Sequence, residues 1–109
     1  MFMVVGVFQM KDETVKATCL ENLKPLLDYT QAKEQGCLSF VLSEAQSDPL
    51  TLFVTEAYAT EEDFTQVHLQ SDETKKWQAV INPLIEAGDV KVVNLIKGPA
   101  REDMGFLKR

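Results

Sequence analysis

Two side chains of this sequence, Glu56 and His68, are of types that move protons between a protein and a bound molecule. The chain contains one histidine, and imidazole is the side chain whose charge changes most readily near neutral pH. Glu56 shares one face of a hydrophobic segment with Leu52 and Val54, where a carboxylate is costly to bury unless it is paired. Because few residues separate Glu56 from His68, we expect the two to meet and to form a general acid–base pair.

Both residues also have a purely structural interpretation. His68 lies on the apolar side of its predicted helix, beside Phe64, and could be a core-edge histidine satisfied by one hydrogen bond. Glu56 could lie at a solvated strand end or in a structural ion pair. The choice between these interpretations depends on whether a pocket adjoins the two side chains.

Four further residues are candidates for substrate binding near the same end of the sheet. Tyr58 and Trp77 are amphipathic aromatics, which more often complete a core with a polar group at its rim and less often stack on a flat ligand. Phe64 lies next to His68 on the helix, and Asn94 is placed to donate its amide into a pocket from the last strand. The five glycines fit neither a phosphate-binding loop nor a dinucleotide fingerprint.

Length and charge restrict the class of protein. A chain of 109 residues is sufficient for one domain. Its formal charge of -6 argues against nucleic acid or an anionic membrane as a partner. The two cysteines and single histidine do not complete a zinc site, and the apolar start lacks the features of a signal peptide. We therefore expect a cytoplasmic protein that binds a small molecule and no metal.

The periodicity of apolar residues predicts alternating strands and helices. Strands are predicted at 2–9, 37–43, 50–58 and 89–96, a long helix at 12–35, a short helix capped by Thr60, and a last helix capped by Ser71 and ended by Gly88. This β-α-β-β-α-β order is typical of an α+β ferredoxin-like plait, with a four-stranded antiparallel sheet and helices on one face. We assign residues 1–97 to one domain and 98–109 to a charged tail.

The sheet face without helices is predicted to be apolar. Val5, Val7, Val92 and Val93 would form an exposed patch larger than monomers usually carry. A homodimer through this face, of the dimeric α+β barrel type, is the simplest way to bury it.

Two stretches and His68 together resemble the antibiotic biosynthesis monooxygenase (ABM) family over about residues 3–96. Residues 34–40 read EQGCLSF, residues 53–62 read FVTEAYATEE, and His68 follows on a helix. The resemblance implies a dimeric barrel with a pocket in each protomer. It also implies oxidation of phenols or quinols by O₂ with no cofactor, metal or flavin. It gives Glu56 and His68 as polar groups of the pocket, with Tyr58 where relatives often have tryptophan.

The chain departs from this pattern at one point and leaves three hypotheses open. Many relatives have a second histidine where this sequence reads SDE at 71–73, which weakens any two-histidine chemistry. The leading hypothesis is a cofactor-independent monooxygenase acting on a small aromatic, phenolic or quinol substrate. The alternatives are an isomerase of a small phosphorylated carbonyl signal, because residues 56–58 also resemble the autoinducer-2 branch, and a non-enzymatic ligand-binding dimer.

Overall fold

A four-stranded antiparallel sheet carries the helices on one of its faces, in a computed structural model that describes residues 1–104. In chain order the elements are β1 (Phe2–Met10), α1 (Glu13–Lys33), β2 (Cys37–Ala45), β3 (Asp48–Tyr58), a π-helix (Asp63–His68), α2 (Asp72–Glu86) and β4 (Val90–Pro99). The strand order is β2-β3-β1-β4. The predicted ferredoxin-like plait is confirmed.

Helix α1 begins and packs as its sequence predicts. The Asp12 side chain accepts a hydrogen bond from the backbone N–H of Val15 at 2.9 Å, so it caps the helix. Cys19, Leu23 and Leu26 are buried on one face, and the helix is continuous through Pro25. None of the described helices is long and apolar enough to cross a membrane.

Two hydrophobic clusters lie between the sheet and the helices, at opposite ends of β1. The cluster at the Met10 end, here the apolar cluster, consists of Met10, Cys19, Leu52, Ile81 and Val90. The cluster at the Phe2 end, here the aromatic cluster, consists of Phe2, Val4, Tyr58 and Phe64. The candidate acid–base residues lie at the aromatic end, because Glu56 pairs in register with Val4.

Glycine 88 ends α2 as predicted, in the left-handed backbone conformation that glycine tolerates best. Its φ is +79°. The N–H of Gly88 donates to the carbonyl of Ile85 and that of Asp89 to the carbonyl of Leu84, which satisfies the carbonyls at the helix end.

The segment around His68 differs from the regular helix that the sequence predicts. The N–H of Leu69 donates to the carbonyl of Phe64 at 2.9 Å, the i to i+5 spacing of a π-helix. The wider turn keeps Phe64 and His68 buried but leaves Val67 exposed.

The last strand extends beyond its predicted end. Strand β4 continues to Pro99, three residues past the predicted end at 96, and the N–H of Ala100 donates a hydrogen bond to the carbonyl of Met1. Residues 105–109 of the predicted tail lie outside the described residues.

Candidate functional site

Three ionisable side chains from separate elements meet beside the aromatic cluster. Glu34 lies at the end of α1, Glu56 on β3, and His68 on the last turn of the π-helix. All three are buried, with exposed fractions of 5%, 7% and 4% respectively. Burying such groups is unfavourable unless they are paired, so their mutual contacts determine what the site can do.

The histidine is held by Glu34, not by Glu56. Nδ1 of His68 lies 2.8 Å from Oε1 of Glu34, and we assign the proton of this hydrogen bond to Nδ1 because a carboxylate can only accept. Nε2 of His68 lies 3.9 Å from Oε1 of Glu56, which is beyond hydrogen-bond distance. The expected proximity of Glu56 and His68 is therefore present, but a gap separates their facing atoms.

Burial favours the neutral form of Glu56. Burial raises the pKa of this carboxyl, and the charge of Glu34 adds to the effect, while Tyr58 and His68 partly oppose it. The Tyr58 hydroxyl donates a hydrogen bond to Oε1 of Glu56. Burial also raises the pKa of Tyr58, and the neighbouring Glu56 raises it further, so the phenol keeps its proton.

The nearby cysteine is not a nucleophile in this environment. Cys37 packs against the aromatic cluster, and burial raises the pKa of its thiol to about 11. Because the thiolate is the reactive form of cysteine, Cys37 acts as a small apolar side chain.

A capping box fixes the start of the π-helix that carries His68. The N–H of Asp63 donates to Oγ1 of Thr60 at 3.2 Å, and the N–H of Thr60 donates to Oδ2 of Asp63 at 3.1 Å. These are the reciprocal bonds of a capping box, and they confirm the predicted Thr60 cap. Gly36 packs against the same aspartate so closely that a Cβ there would lie 2.3 Å from Cγ of Asp63.

Hydrogen bonds at the other end of the π-helix hold the backbone of His68. The hydroxyl of Thr74 donates to the carbonyl of His68 at 2.7 Å, and that of Ser71 donates to the same carbonyl at 3.0 Å. Ser71 also caps α2 through the N–H of Thr74. The imidazole is thus anchored through its ring nitrogen and through its backbone.

A cleft of about 260 Å³ opens beside the imidazole, between the sheet and the helices. Four of the predicted site residues line it: Glu56, His68, Phe64 and Trp77. Its remaining walls are largely apolar, and Lys97 of β4 lies along it. The volume is slightly below the usual range for small-molecule pockets, which suits a compact ligand.

Tyr58 and Asn94, the other two predicted site residues, lie elsewhere. Tyr58 is fully buried behind Glu56 and does not line the cleft. Asn94 pairs in register with Val7, on the opposite sheet face from the residues that line the cleft. Neither side chain contacts the cleft in this arrangement.

Sequence reasoning missed the residue that orients the imidazole. Glu34 occurs in the EQGCLSF stretch, but it was not singled out as a site residue. Its position did carry a signal, because Leu26, Thr30 and Glu34 follow one another at helical spacing on the buried face of α1. A carboxylate that continues an apolar stripe needs a buried partner.

Comparison with known proteins places the chain in one family. Residues 1–80 match the family model described as antibiotic biosynthesis monooxygenase. No curated protein matches the chain. Among the residues that the structure describes, no group of three or more His, Cys, Asp or Glu side chains is arranged to hold a metal ion.

Solved structures share the fold at low sequence identity. A protein of Bacteroides thetaiotaomicron, provisionally named an antibiotic biosynthesis monooxygenase, has a TM-score of 0.73 at 18% identity, covering 98% of this chain and 96% of its own. A provisionally named counterpart from Deinococcus radiodurans has a TM-score of 0.68 at 21% identity, covering 99% and 100%. A conserved protein of Methanosarcina mazei has a TM-score of 0.71 at 22% identity, covering 92% of each chain. Since the family model covers most of its length, the chain belongs to the antibiotic biosynthesis monooxygenase family.

Proposed function

We propose that this protein is a cofactor-independent monooxygenase that oxidises a small phenolic or quinol-type aromatic with O₂. The observation that carries the proposal is the imidazole of His68, which is fixed by Glu34 on one side and faces an apolar cleft on the other. Membership of the family supports the same class of reaction.

In the first step, Nε2 of His68 acts as the general base. With the Nδ1 proton donated to Glu34, the neutral ring carries its lone pair on Nε2, as a base requires. Nε2 removes the phenolic proton of the substrate, and Glu34 stabilises the imidazolium that forms, as the buried carboxylate does in hydrolase triads.

Oxidation follows from the electron-rich anion that this step leaves. The phenolate transfers an electron to O₂, and recombination of the two radicals forms the new carbon–oxygen bond. One oxygen atom becomes the product carbonyl, and the other leaves as water after taking up the two hydrogens that the substrate loses. The apolar walls of the cleft, including Phe64 and Trp77, keep water from quenching the intermediates.

Glu56 is proposed to bind the substrate in its neutral form. Its facing oxygen lies 3.9 Å from Nε2 of His68, so a substrate hydroxyl placed beside these two atoms, off the line that joins them, can contact both side chains. Burial raises the pKa of Glu56, which favours a protonated carboxyl that can donate to an oxygen atom of the ligand. Tyr58 supports this carboxyl from behind.

Oxygen uptake with anthrones and hydroquinones tests the proposal. We expect wild-type protein to consume O₂ with these substrates and His68→Ala to lose about 10²- to 10⁴-fold in rate, the usual range for a general base. Gln66→Ala, at an exposed position of the same π-helix, is the matched control and should keep the wild-type rate. Equal rates for wild type and His68→Ala would refute the proposed role of His68.

A second candidate function is isomerisation of a small phosphorylated carbonyl compound by the same base, without O₂. One observation favours it: Lys97 lies along the cleft, where it could hold a phosphate. The lysines at 33, 75, 76 and 91 do not line the cleft. An oxygen electrode separates the two candidates, because only the monooxygenase consumes O₂.

We also propose that the protein acts as a homodimer through the sheet face without helices. Val5 pairs in register with Ile96 on this face, and Ile96 is 58% exposed. Val41, two strands away, is 51% exposed. Val92 does not belong to this patch, because it pairs with Phe8 on the helix-covered side.

Sedimentation of wild type and Ile96→Lys tests the dimer. We expect wild type to sediment as a dimer and the variant as a monomer, because a lysine on this face would be buried without a partner. A monomeric wild type would refute the dimer and leave the chemistry of the cleft unaffected.

A further inference from the structure

Lys97 differs from the other ionisable residues of the site because it forms no ion pair within residues 1–104. Among the ion pairs of residues 1–104, none includes Lys97. Lys97 is solvent-exposed, as are the lysines at 33, 75, 76 and 91, which also form no ion pair among the described residues. It differs from those four lysines because it lines the cleft.

The strand register directs Lys97 towards the cleft. It pairs with Val4 on β1, and Val4 lines the cleft on the helix-covered face. The ammonium lies 5.9 Å from the centre of the Phe64 ring, within the range of a cation–π contact. The same ring stacks on His68, with centroids 6.1 Å apart and an interplanar angle of 20°.

Phe64 therefore lies near both a cation and the proposed base. The ammonium of Lys97 lies 5.9 Å from the centre of the ring, and the centre of the imidazole of His68 lies 6.1 Å from it. An aromatic ligand that packs against Phe64 with a hydroxyl at Nε2 would extend towards the ammonium. A neutral ligand would leave this cation without a counter-charge.

The charges along the cleft favour an anion at this position. Lys97 is the only lysine or arginine that lines the cleft within the described chain. Glu34 is paired with His68 on the side away from Nε2, and burial favours the protonated form of Glu56 by raising its pKa. Neither carboxylate forms an ion pair with the ammonium of Lys97, because both face His68 instead.

We infer that the natural ligand is an organic anion whose carboxylate or phosphate binds Lys97 while the rest of the molecule lies against Phe64 and reaches His68. This inference narrows the substrate class of the proposed function and rests on the same cleft. It makes Lys97 a specificity-determining residue, since only an acidic ligand gains from the contact.

Anaerobic calorimetric titration with matched pairs of ligands tests the inference. One pair is naphthohydroquinone and its ring carboxylate; the other is dihydroxyacetone and dihydroxyacetone phosphate. We expect the anion of at least one pair to bind about tenfold or more tightly than its neutral parent, as a charge-assisted hydrogen bond would provide. The preference should shrink as ionic strength rises.

Substitution of the lysine identifies the source of that preference. Lys97→Met should remove the preference for the anion, and Lys97→Arg should retain this preference. Lys91→Met, at an exposed position of the same strand that does not line the cleft, should behave as wild type. Circular dichroism checks that each variant is folded.

The outcomes separate this inference from the proposed reaction. A Lys97-dependent preference for the carboxylate supports an acidic aromatic ligand, and one for the phosphate alone supports the phosphorylated carbonyl. No anion binding, or a preference that survives in Lys97→Met, overturns the inference. Because these titrations involve no turnover, a protein that binds the anion but consumes no O₂ refutes the monooxygenase reaction alone.

Discussion

The two hydrophobic clusters differ in what they enclose, although the same sheet and helices build both. The apolar cluster surrounds a void of about 100 Å³ whose walls are hydrophobic side chains such as Leu23 and Ile85. The aromatic cluster instead adjoins Glu34, Glu56 and His68, all buried. One end of the fold is therefore an ordinary core, and the other carries ionisable groups that a core designed only for stability would omit.

The backbone differs between the two ends in the same way. At the apolar end, α2 closes regularly with Gly88. At the aromatic end, the chain forms a π-helix and is held by a capping box and by two hydroxyls on the carbonyl of His68. Such irregular turns often occur at functional sites. The comparison indicates that stability depends mainly on the apolar end and chemistry on the aromatic end.

The largest expected effect is an opposite response of stability and rate to one core mutation at each end. Ile81→Ala leaves a cavity in the apolar cluster and should lower the free energy of unfolding by about 2–5 kcal/mol. The folded fraction should keep its kcat/KM. His68→Ala should show the reverse, a large loss of rate with a smaller loss of stability. Chemical denaturation and oxygen uptake measure the two effects, and equal losses of rate in both variants would contradict the division.

Removing the charge of Glu34 tests whether this residue, at the end of α1, orients the imidazole of His68. We expect Glu34→Gln to lower kcat by about 10- to 100-fold, comparable to the loss when the hydrogen-bond partner of a metal-bound histidine is removed. KM should change little, because Glu34 does not line the cleft. Steady-state kinetics with Glu21→Gln, an exposed position of α1, as control would check this. A change confined to KM would contradict a steering role.

Gly36→Ala should damage the aromatic end through the capping box. The added Cβ overlaps the side chain of Asp63, which must move and lose its bonds to Thr60. We expect a loss of about 0.5–2 kcal/mol in stability, as for other lost helix caps, together with reduced activity. Thermal denaturation and kinetics measure both, and Gly98→Ala, where a Cβ has free space, is the matched control. Unchanged values for both properties would show that Asp63 does not hold the π-helix.

Glu56 should make stability depend on pH. Its pKa is raised above the ordinary value of 4.5 by burial, so the folded state binds this proton more tightly than the unfolded state does. The stabilisation of the folded state by this Glu56 proton is complete below pH 4.5 and is lost as pH rises through the pKa of Glu56 in the folded protein. Glu56→Gln, which keeps an oxygen to accept from Tyr58, should remove this part of the pH dependence of Tm. The control variant Glu21→Gln should keep the pH dependence of Tm seen in the wild type. An identical pH profile in wild type and Glu56→Gln would contradict a neutral Glu56.

The sequence predicted the sheet, both long helices and the Thr60 and Ser71 caps because local residue chemistry determines each of them. It also placed Glu56 near His68, because a short connection limits their separation. It did not predict the contact with Glu34, which depends on how α1 packs 34 residues away in the chain. The π-helix was not predicted, because its wider turn leaves no distinct pattern in the sequence. Lys97 was not predicted as a site residue, because the pairing of β4 with β1 directs it to the cleft and that pairing cannot be read from nearby residues.

The central claim is that Glu34 holds the Nδ1 proton of His68 and leaves Nε2 free to act as a base. Nitrogen-15 NMR tests it most directly, because the chain has one histidine and its two ring nitrogens report protonation separately. At a pH where the ring is neutral, we expect a protonated Nδ1 and an unprotonated Nε2, and we expect Glu34→Gln to mix the two tautomers. A spectrum of the wild-type protein with the proton on Nε2 would contradict the account.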